Sequence, residues 1–566
     1  MTAELALFEV DAATPVVGGI RPQSDRRLLG AVYTPDLLAR WVASLLRSHS
    51  RRPIRRVLDP ACGDGALLGA VSAEVPELES VVGIDLSAAA TNEVKVRWGE
   101  RATTLVADSL RLTAPAVSDA DAAIMNPPWG AELDISRAEL RELGYELANG
   151  QYDSWDLFVE WSVKALPVGT TVAAILPDAI FLPEHEAARR LLLTRTRLHS
   201  VARLGEGWFE GVFRGVAVIV FTTGEVTDGT IQCIRLPYHA RRRIRDGSVT
   251  LAEEVTRIET VCEQREWAAD PAANFLPAGS AEAARSIRHI ESRGGKWTSW
   301  VTAGRGVEMG KSGALVRCGA CGIHRQPPRA GDPMCTACGN TFSWEVVTAA
   351  SLQDPADPAG WVPLIVGEDV RRYDASPSRW LRIGLDGVQY KDESLYAGDK
   401  LLVRKTGLGL NASLDTSGSY TTQVVFHYTP KPHAPEFVLD YLEGMLCSRV
   451  LLAVHLSRTG ETEWRSHPYV TPKVLSTLPI PTPKPDTPDW LQAQAIARAA
   501  RNVRSAPMEG RAEAESAVDR LVAGLYGLDS EGCAWVDSVL SGTQSLQAFA
   551  HLRTEAAGRL QAERAA

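Results

Sequence analysis

Short apolar runs alternate with stretches of helical period from Leu28 to about Phe221, the pattern of a parallel sheet covered by helices. The apolar runs at 56–58, 81–84, 104–106, 122–125, 171–176 and 216–221 are predicted as strands. Between them, residues 156–166 place Leu157, Phe158, Trp161 and Ala165 on one helical face. Ahead of the first strand, Thr34-Pro35-Asp36 reads as an N-cap, a first-turn proline and an early acid. They open a helix with Leu37, Leu38, Trp41, Val42, Leu45 and Leu46 on one face. The expectation is a doubly wound α/β domain, Rossmann-like in layout, over residues 28–225, behind an N-terminal extension 1–27.

Beyond residue 226 the alternation fades, and Gly, Pro and isolated aromatics increase up to the Pro-dense stretch 479–488. A linker or helical connection at 226–290 and a second, mixed α+β domain at 291–488 are expected. The tail 489–566 is rich in Ala, Arg, Glu and Leu, with Gly510, Gly524 and Gly527 as breaks, so short helices are predicted there. The 566 residues, 45% hydrophobic and 23% charged, suffice for several cores. Glu4, Glu9 and Asp11 interrupt any N-terminal apolar run, and no uncharged stretch is long enough for a bilayer. A cytoplasmic protein with no membrane partner is expected, and nine cysteines are few enough for a reducing compartment. The net charge of −9 argues against coating nucleic acid through bulk positive charge. Arg241, Arg242 and Arg243, with Arg245 nearby, form a local cluster that reads equally as phosphate contacts or as a solvated loop.

The chemistry begins at 57–65, where glycines follow a strand directly and the backbone must turn tightly beside a ligand. Leu68 stands where a dinucleotide fingerprint needs its third glycine. Asp59 and Asp64 would repel a pyrophosphate and favour a cation, which S-adenosylmethionine supplies as a sulfonium and an ammonium. Asp85 closes the next strand, where ribose hydroxyls are expected, and Asp108 the third, where the cofactor's adenine is expected. One acid at a strand end is usually a helix cap; three in register with a glycine turn point to a site.

The apolar strand ending Asn126-Pro127-Pro128-Trp129 is the decisive element. An adenine amino group is a poor nucleophile because its lone pair is delocalised into the ring. The Asn126 side-chain oxygen and the Pro127 carbonyl can accept its hydrogens and draw them out of plane. The prolines fix the direction of that carbonyl, and Trp129 offers a face on which an extruded base can stack.

In this order of motifs the chain resembles the gamma-class, Taq-type DNA adenine methyltransferases, and the likeness covers most of the sequence. The resemblance implies an S-adenosylmethionine-dependent fold, a duplex DNA substrate with base flipping, and a recognition domain behind the catalytic one. It implies that Tyr33, Thr34 and Pro35 touch the cofactor's carboxylate. It casts Asp59, Pro60, Ala61, Gly63 and Gly65 as the methionine-binding loop, Asp85 and Asp108 as ribose and adenine contacts, and Asn126 to Trp129 as the catalytic tetrapeptide with Trp as its aromatic. Residues 211–215 correspond to the motif whose aromatic stacks on the flipped base, with Phe213 chosen and Phe209 the alternative. Among the rear motifs, Arg305, Lys311, Arg404 and Lys405 are expected to meet DNA. Only 32 residues precede Tyr33, so no nuclease fold is expected there. The resemblance also implies a restriction-modification or anti-phage setting, with room for a nuclease or defence partner.

Cys318-x-x-Cys321 and Cys335-x-x-Cys338 have the spacing of a four-thiolate zinc ribbon, either a DNA or partner contact or a purely structural clip, with His324 as an alternative ligand. Three rival functions share the catalytic motif or fold: methylation of RNA adenine, methylation of protein glutamine, and a DNA-recognition subunit of a defence complex. The large rear region with its scattered arginines fits a duplex best.

Overall fold

The computed structural model describes residues 34–112, 119–209, 214–224, 229–278, 280–309, 314–325, 334–340, 345–348, 350–351, 359–407, 409–459 and 470–543. Nine strands form its main sheet: β1 (Arg56–Asp59), β2 (Ser80–Asp85), β3 (Ala102–Val106), β4 (Ala122–Met125), β5 (Thr171–Pro177), β6 (Thr196–Gly205), β7 (Val216–Thr223), β8 (Thr230–Arg235) and β9 (Thr260–Glu263). Their order is β3-β2-β1-β4-β5-β7-β6-β8-β9. The first five run parallel. β7 lies antiparallel between β5 and β6, β8 runs parallel to β6, and β9 closes the edge antiparallel.

The central strands β4 and β5 are buried throughout, as continuous apolar runs covered on both faces should be. Helix α1 (Asp36–His49) buries Leu38, Trp41, Val42, Leu45 and Leu46 against the sheet, the face expected from its spacing except for Leu37, which is exposed. Its N-cap position is Pro35, so Thr34 stands one residue outside the helix and its hydroxyl accepts from Asn126 Nδ2 instead. Helices α2 (Ala66–Glu74) and α3 (Ala88–Trp98) cover the sheet after β1 and β2. Helix α4 (Ser154–Ala165) is buried far beyond the single face its pattern suggested, Ser154 to Ser162 being enclosed.

The sheet does not stop near residue 225. β8 and β9 extend it, and the core around this sheet reaches Phe275, so most of 226–290, its helices included, belongs to the first body and does not merely connect two domains. The rear half has a core of its own. Strands Val301–Arg305, Val425–Pro430, Lys400–Arg404 and Ala412–Asp415 form an antiparallel sheet in that order, backed by helix Val438–Leu446. The tail differs from the expected short helices. Pro488–Ser505 and Met508–Tyr526 have 18 and 19 residues, with Gly510 and Gly524 inside the second and only Gly527, at φ 67°, ending it. These helices pack into the rear core, where the Tyr526 hydroxyl donates to Pro479 O at 2.9 Å. Among the described residues, no helix is long and apolar enough to cross a membrane.

Candidate active site and cysteine cluster

In an open parallel sheet, ligands gather beyond the carboxyl ends of the strands where the strand order reverses. Here β1 and β4 are neighbours, with β2 and β3 on one side and β5 on the other. Asp59 ends β1, Asp85 ends β2, Asp108 follows β3 and Asn126 follows β4, so the four lie along one edge. The loop after β1 is docked onto the second strand: Cys62 N donates to Ile84 O at 3.0 Å and Gly63 N to Asp85 Oδ2 at 3.0 Å. Ser109 Oγ donates to Pro60 O at 2.6 Å. Gly63 and Gly65 have φ of 49° and 78°, and a side chain on Gly65 would meet the Trp98 ring, whereas the space beside Gly63 is open.

Asp59 is 1% exposed, and Ala61 N donates to its Oδ1 at 3.0 Å. Burial pushes its carboxyl up to about 8; the Ala61 N–H opposes the shift and the charges of Asp85 and Asp64 add to it. An acid so placed discharges its own ionisation penalty when a cation arrives. Asp85 also accepts from Ser87 N at 2.8 Å, and Asp108 accepts from Leu110 N at 3.0 Å.

Asn126 Nδ2 donates to Thr34 Oγ1 at 3.1 Å, a bond across 92 positions of sequence that fixes the plane of the amide. Trp129 is buried, its ring packed edge-on against Phe209 with centroids 5.4 Å apart at 89°. The aromatic thus forms a supported wall of the site with Phe209, a residue weighed only as an alternative in the sequence. Tyr33 and Phe213 lie outside the described residues. Gly215, closing the 211–215 motif, accepts from Asp178 N at 2.8 Å, and Asp178 also faces Arg203 at 3.7 Å.

The residues behind the tetrapeptide were not singled out in the sequence. Ser154 Oγ donates to Pro128 O at 2.5 Å and accepts from Ala131 N at 3.2 Å. Asp153 Oδ1 accepts from Gly130 N at 2.7 Å. Their one sequence signal is Asp153-x-x-Asp156 ahead of an apolar run, a helix-opening pattern, and Asp153 N does donate to Asp156 Oδ2 at 2.8 Å.

The four cysteines come together. Cys318 Sγ and Cys338 Sγ stand 3.8 Å apart, as do Cys321 Sγ and Cys335 Sγ, and all four sulfurs lie within 4.8 Å of one another. Each CxxC turns the same way, with Gly322 N donating to Cys318 O and Gly339 N to Cys335 O. His324 Nδ1 lies 3.2 Å from Asp386 O, outside the cluster.

The candidate DNA contacts divide. Arg241 is a correction: it lies on helix Tyr238–Arg245, is buried, and donates to Glu206 O at 2.7 Å, so it ties helix to sheet and offers phosphate no charge. Arg243 pairs with Glu254 at 2.6 Å. The Arg242 side chain and Lys311 lie outside the described residues. Arg305 and Arg404 are brought to the same end of the rear sheet, opposite Phe426 and Val425 of the strand between them, with Lys405 adjoining.

Residues 22–277 match the N-6 DNA Methylase family, and residues 362–480 the TaqI-like C-terminal specificity domain. The chain is 30% identical over 194 residues to the Type II methyltransferase M.TthHB8I of Thermus thermophilus, covering 33% of this chain and 43% of that one. It is 24% identical over 223 residues to the Type II restriction enzyme and methyltransferase RM.BcgI of Heyndrickxia coagulans, covering 36% and 32%. The matches therefore span less than half the length of these curated relatives. In fold, it is similar to the Type IIL restriction-modification enzyme MmeI, solved in complex with DNA, with a TM-score of 0.54 at 12% identity over 93% of this chain and 80% of that one.

Proposed function

We propose, from a chain that joins an N-6 DNA methylase domain to a TaqI-like C-terminal specificity domain, that the protein methylates the exocyclic amino nitrogen of adenine in duplex DNA. S-adenosylmethionine is the donor and a restriction-modification system the setting. The observation that carries this reading is the placement of the Asn126 amide, held by Thr34, on the same sheet edge as the buried acid Asp59.

The residues present fit the donor. Asp59 sits in a place that favours a nearby cation, and the open space beside Gly63 leaves the backbone of the loop accessible. Asp59 to Gly65 would hold the methionine part, Asp85 the ribose and Asp108 the adenine, with Tyr33 and Thr34 at the carboxylate. When bound, S-adenosylmethionine supplies an electrophilic methyl group on sulfonium. Asn126 Oδ1 and the Pro127 carbonyl accept the hydrogens of the target amine and localise its lone pair. Thr34 keeps the amide nitrogen turned away from that amine, so that the oxygen is presented to it. A duplex adenine must leave the stack to reach this edge. Trp129, braced by Phe209, and Phe213 would offset the unstacking by packing on the extruded base.

The rear sheet brings Arg305, Arg404 and Lys405 to one end, where they would meet phosphates or base edges. A specificity domain of this size favours duplex DNA over a glutamine side chain as substrate. The four sulfurs would hold zinc: a tetrahedral site with Zn–S of about 2.3 Å has sulfurs about 3.8 Å apart, the spacing of the two closest pairs. The test of the catalytic assignment is Asn126→Ala. Methyl transfer to DNA should be lost while calorimetric S-adenosylmethionine affinity stays within about twofold, because the amide acts on the target amine. Transfer near the parent rate would overturn it.

A further inference from the structure

Resting on the reading of Asn126 to Trp129 as the catalytic loop, we propose that Ser154 and Asp153, at the start of α4, are positioning residues that set the direction of the Pro127 carbonyl. Pro127 and Pro128 have no backbone N–H, so the loop cannot be anchored by its own donors at those two positions. The bonds that anchor the loop from behind are made at the Pro128 carbonyl and the Gly130 and Ala131 amides, while the Trp129 ring packs on Phe209. The start of α4 supplies a partner for each. The Ser154 hydroxyl donates to Pro128 O at 2.5 Å and accepts from Ala131 N at 3.2 Å, bracketing the loop from both sides. Asp153 Oδ1 accepts from Gly130 N at 2.7 Å, where Gly130 has φ 66° and the chain reverses.

This clamp is itself held rigid. Asp153 N donates to Asp156 Oδ2, and His185 Nδ1 stands 2.8 Å from the same oxygen, with the His185 ring packed on Trp155 at 4.6 Å. Ser154 and Asp156 are 3% and 2% exposed, so water competes little for the bonds they make, whereas the Gly130–Asp153 bond lies at the exposed side of the clamp. Asn126 is thus fixed from the N-terminal side by Thr34, and the remainder of the loop from behind by α4. Ser154 and Asp153 are bonded to the loop behind Asn126 and are assigned no contact with the target base or the donor. Their effect is on alignment, and a carbonyl swung by even part of an ångström loses its bond to the amine in the transition state.

The experiment is single-turnover methyl transfer by the full-length protein at saturating DNA and S-adenosylmethionine, with three further readouts: cofactor affinity, DNA affinity, and fluorescence of 2-aminopurine at the target position. Ser154→Ala should slow transfer about 10- to 100-fold while both affinities and the flipping signal stay within about twofold, and Ser154→Thr, which keeps the hydroxyl, should recover most of the rate. Asp153→Ala, acting through Gly130, should slow the same step in the same direction. Transfer within about twofold of the parent in Ser154→Ala would overturn the proposal. So would a loss of rate matched by loss of cofactor affinity or of the flipping signal, which marks a collapsed site. A parent protein that places no methyl group on adenine would overturn the catalytic reading first, and this clamp with it.

Discussion

Asp59 carries a proton up to about pH 8 because burial opposes its charge more than the Ala61 N–H favours it. A cationic ligand binds the ionised form, so binding must expel that proton. S-adenosylmethionine affinity is therefore expected to rise with pH from about 6 to 8, and proton release should be measurable by calorimetry in buffers of different ionisation enthalpy. The sign for stability is opposite: between about pH 4 and 8 the unfolded chain has released a proton that the folded one keeps, so this residue makes the ligand-free protein less stable as pH rises. Asp59→Asn should flatten the proton release; unchanged release in that variant would place the titrating group elsewhere. Single residues were legible in the sequence where a strand ended in a chemically costly side chain, as at Asp59, Asp85 and Asn126. Thr34 was read as a helix cap, but Pro35 takes that position and Thr34 proved to be a partner of Asn126, because contact across the fold has no local signature. Arg241 misled for the same reason: charge is visible in sequence, whereas the carbonyl that buries it is not.

At the scale of elements, the parallel strands β1, β2, β4 and β5 were legible as apolar runs, since a strand covered on both faces needs no polar alternation, whereas the edge strand β3 is only partly buried. β6 was not, because Arg197, His199 and Arg203 interrupt its pattern; Arg203 is nevertheless buried, its charge facing Asp178 and two carbonyls at a helix end. β9 escaped notice because a four-residue edge strand carries little periodic signal, and β8 because Thr230, Gln232 and Arg235 break its apolar pattern. The cysteine finger was legible from spacing alone, and its three-stranded sheet is too small to supply a core. Protein prepared under reducing, chelator-free conditions should hold about one zinc ion per chain, and Cys335→Ser should lose it. Elemental analysis finding no zinc in the parent would refute the site.

The two cores meet where the nine-stranded sheet grips the end of helix Arg449–Thr459. Arg203 Nη1 donates to Arg458 O at 2.9 Å and to Ser457 O at 3.3 Å, and Arg235 Nη1 to Ser457 O at 3.0 Å. These bonds satisfy helix-end carbonyls with cations, which the helix dipole also favours. Arg203→Ala leaves buried acceptors and the Asp178 charge without that cation, at a cost of about 3–5 kcal/mol, and should split or lower the thermal transition. A calorimetric scan identical to the parent would show that the halves are held otherwise. Such coupling matters because recognition by one half must present an adenine to the other. The most direct test of that account is nucleoside mass spectrometry of duplex DNA incubated with the whole protein and methyl-labelled S-adenosylmethionine. The label is expected on N6 of adenine within one sequence context, and to vanish with Asn126→Ala. Label on cytosine, on RNA or protein alone, or on adenine at an undiminished rate in Asn126→Ala would contradict it.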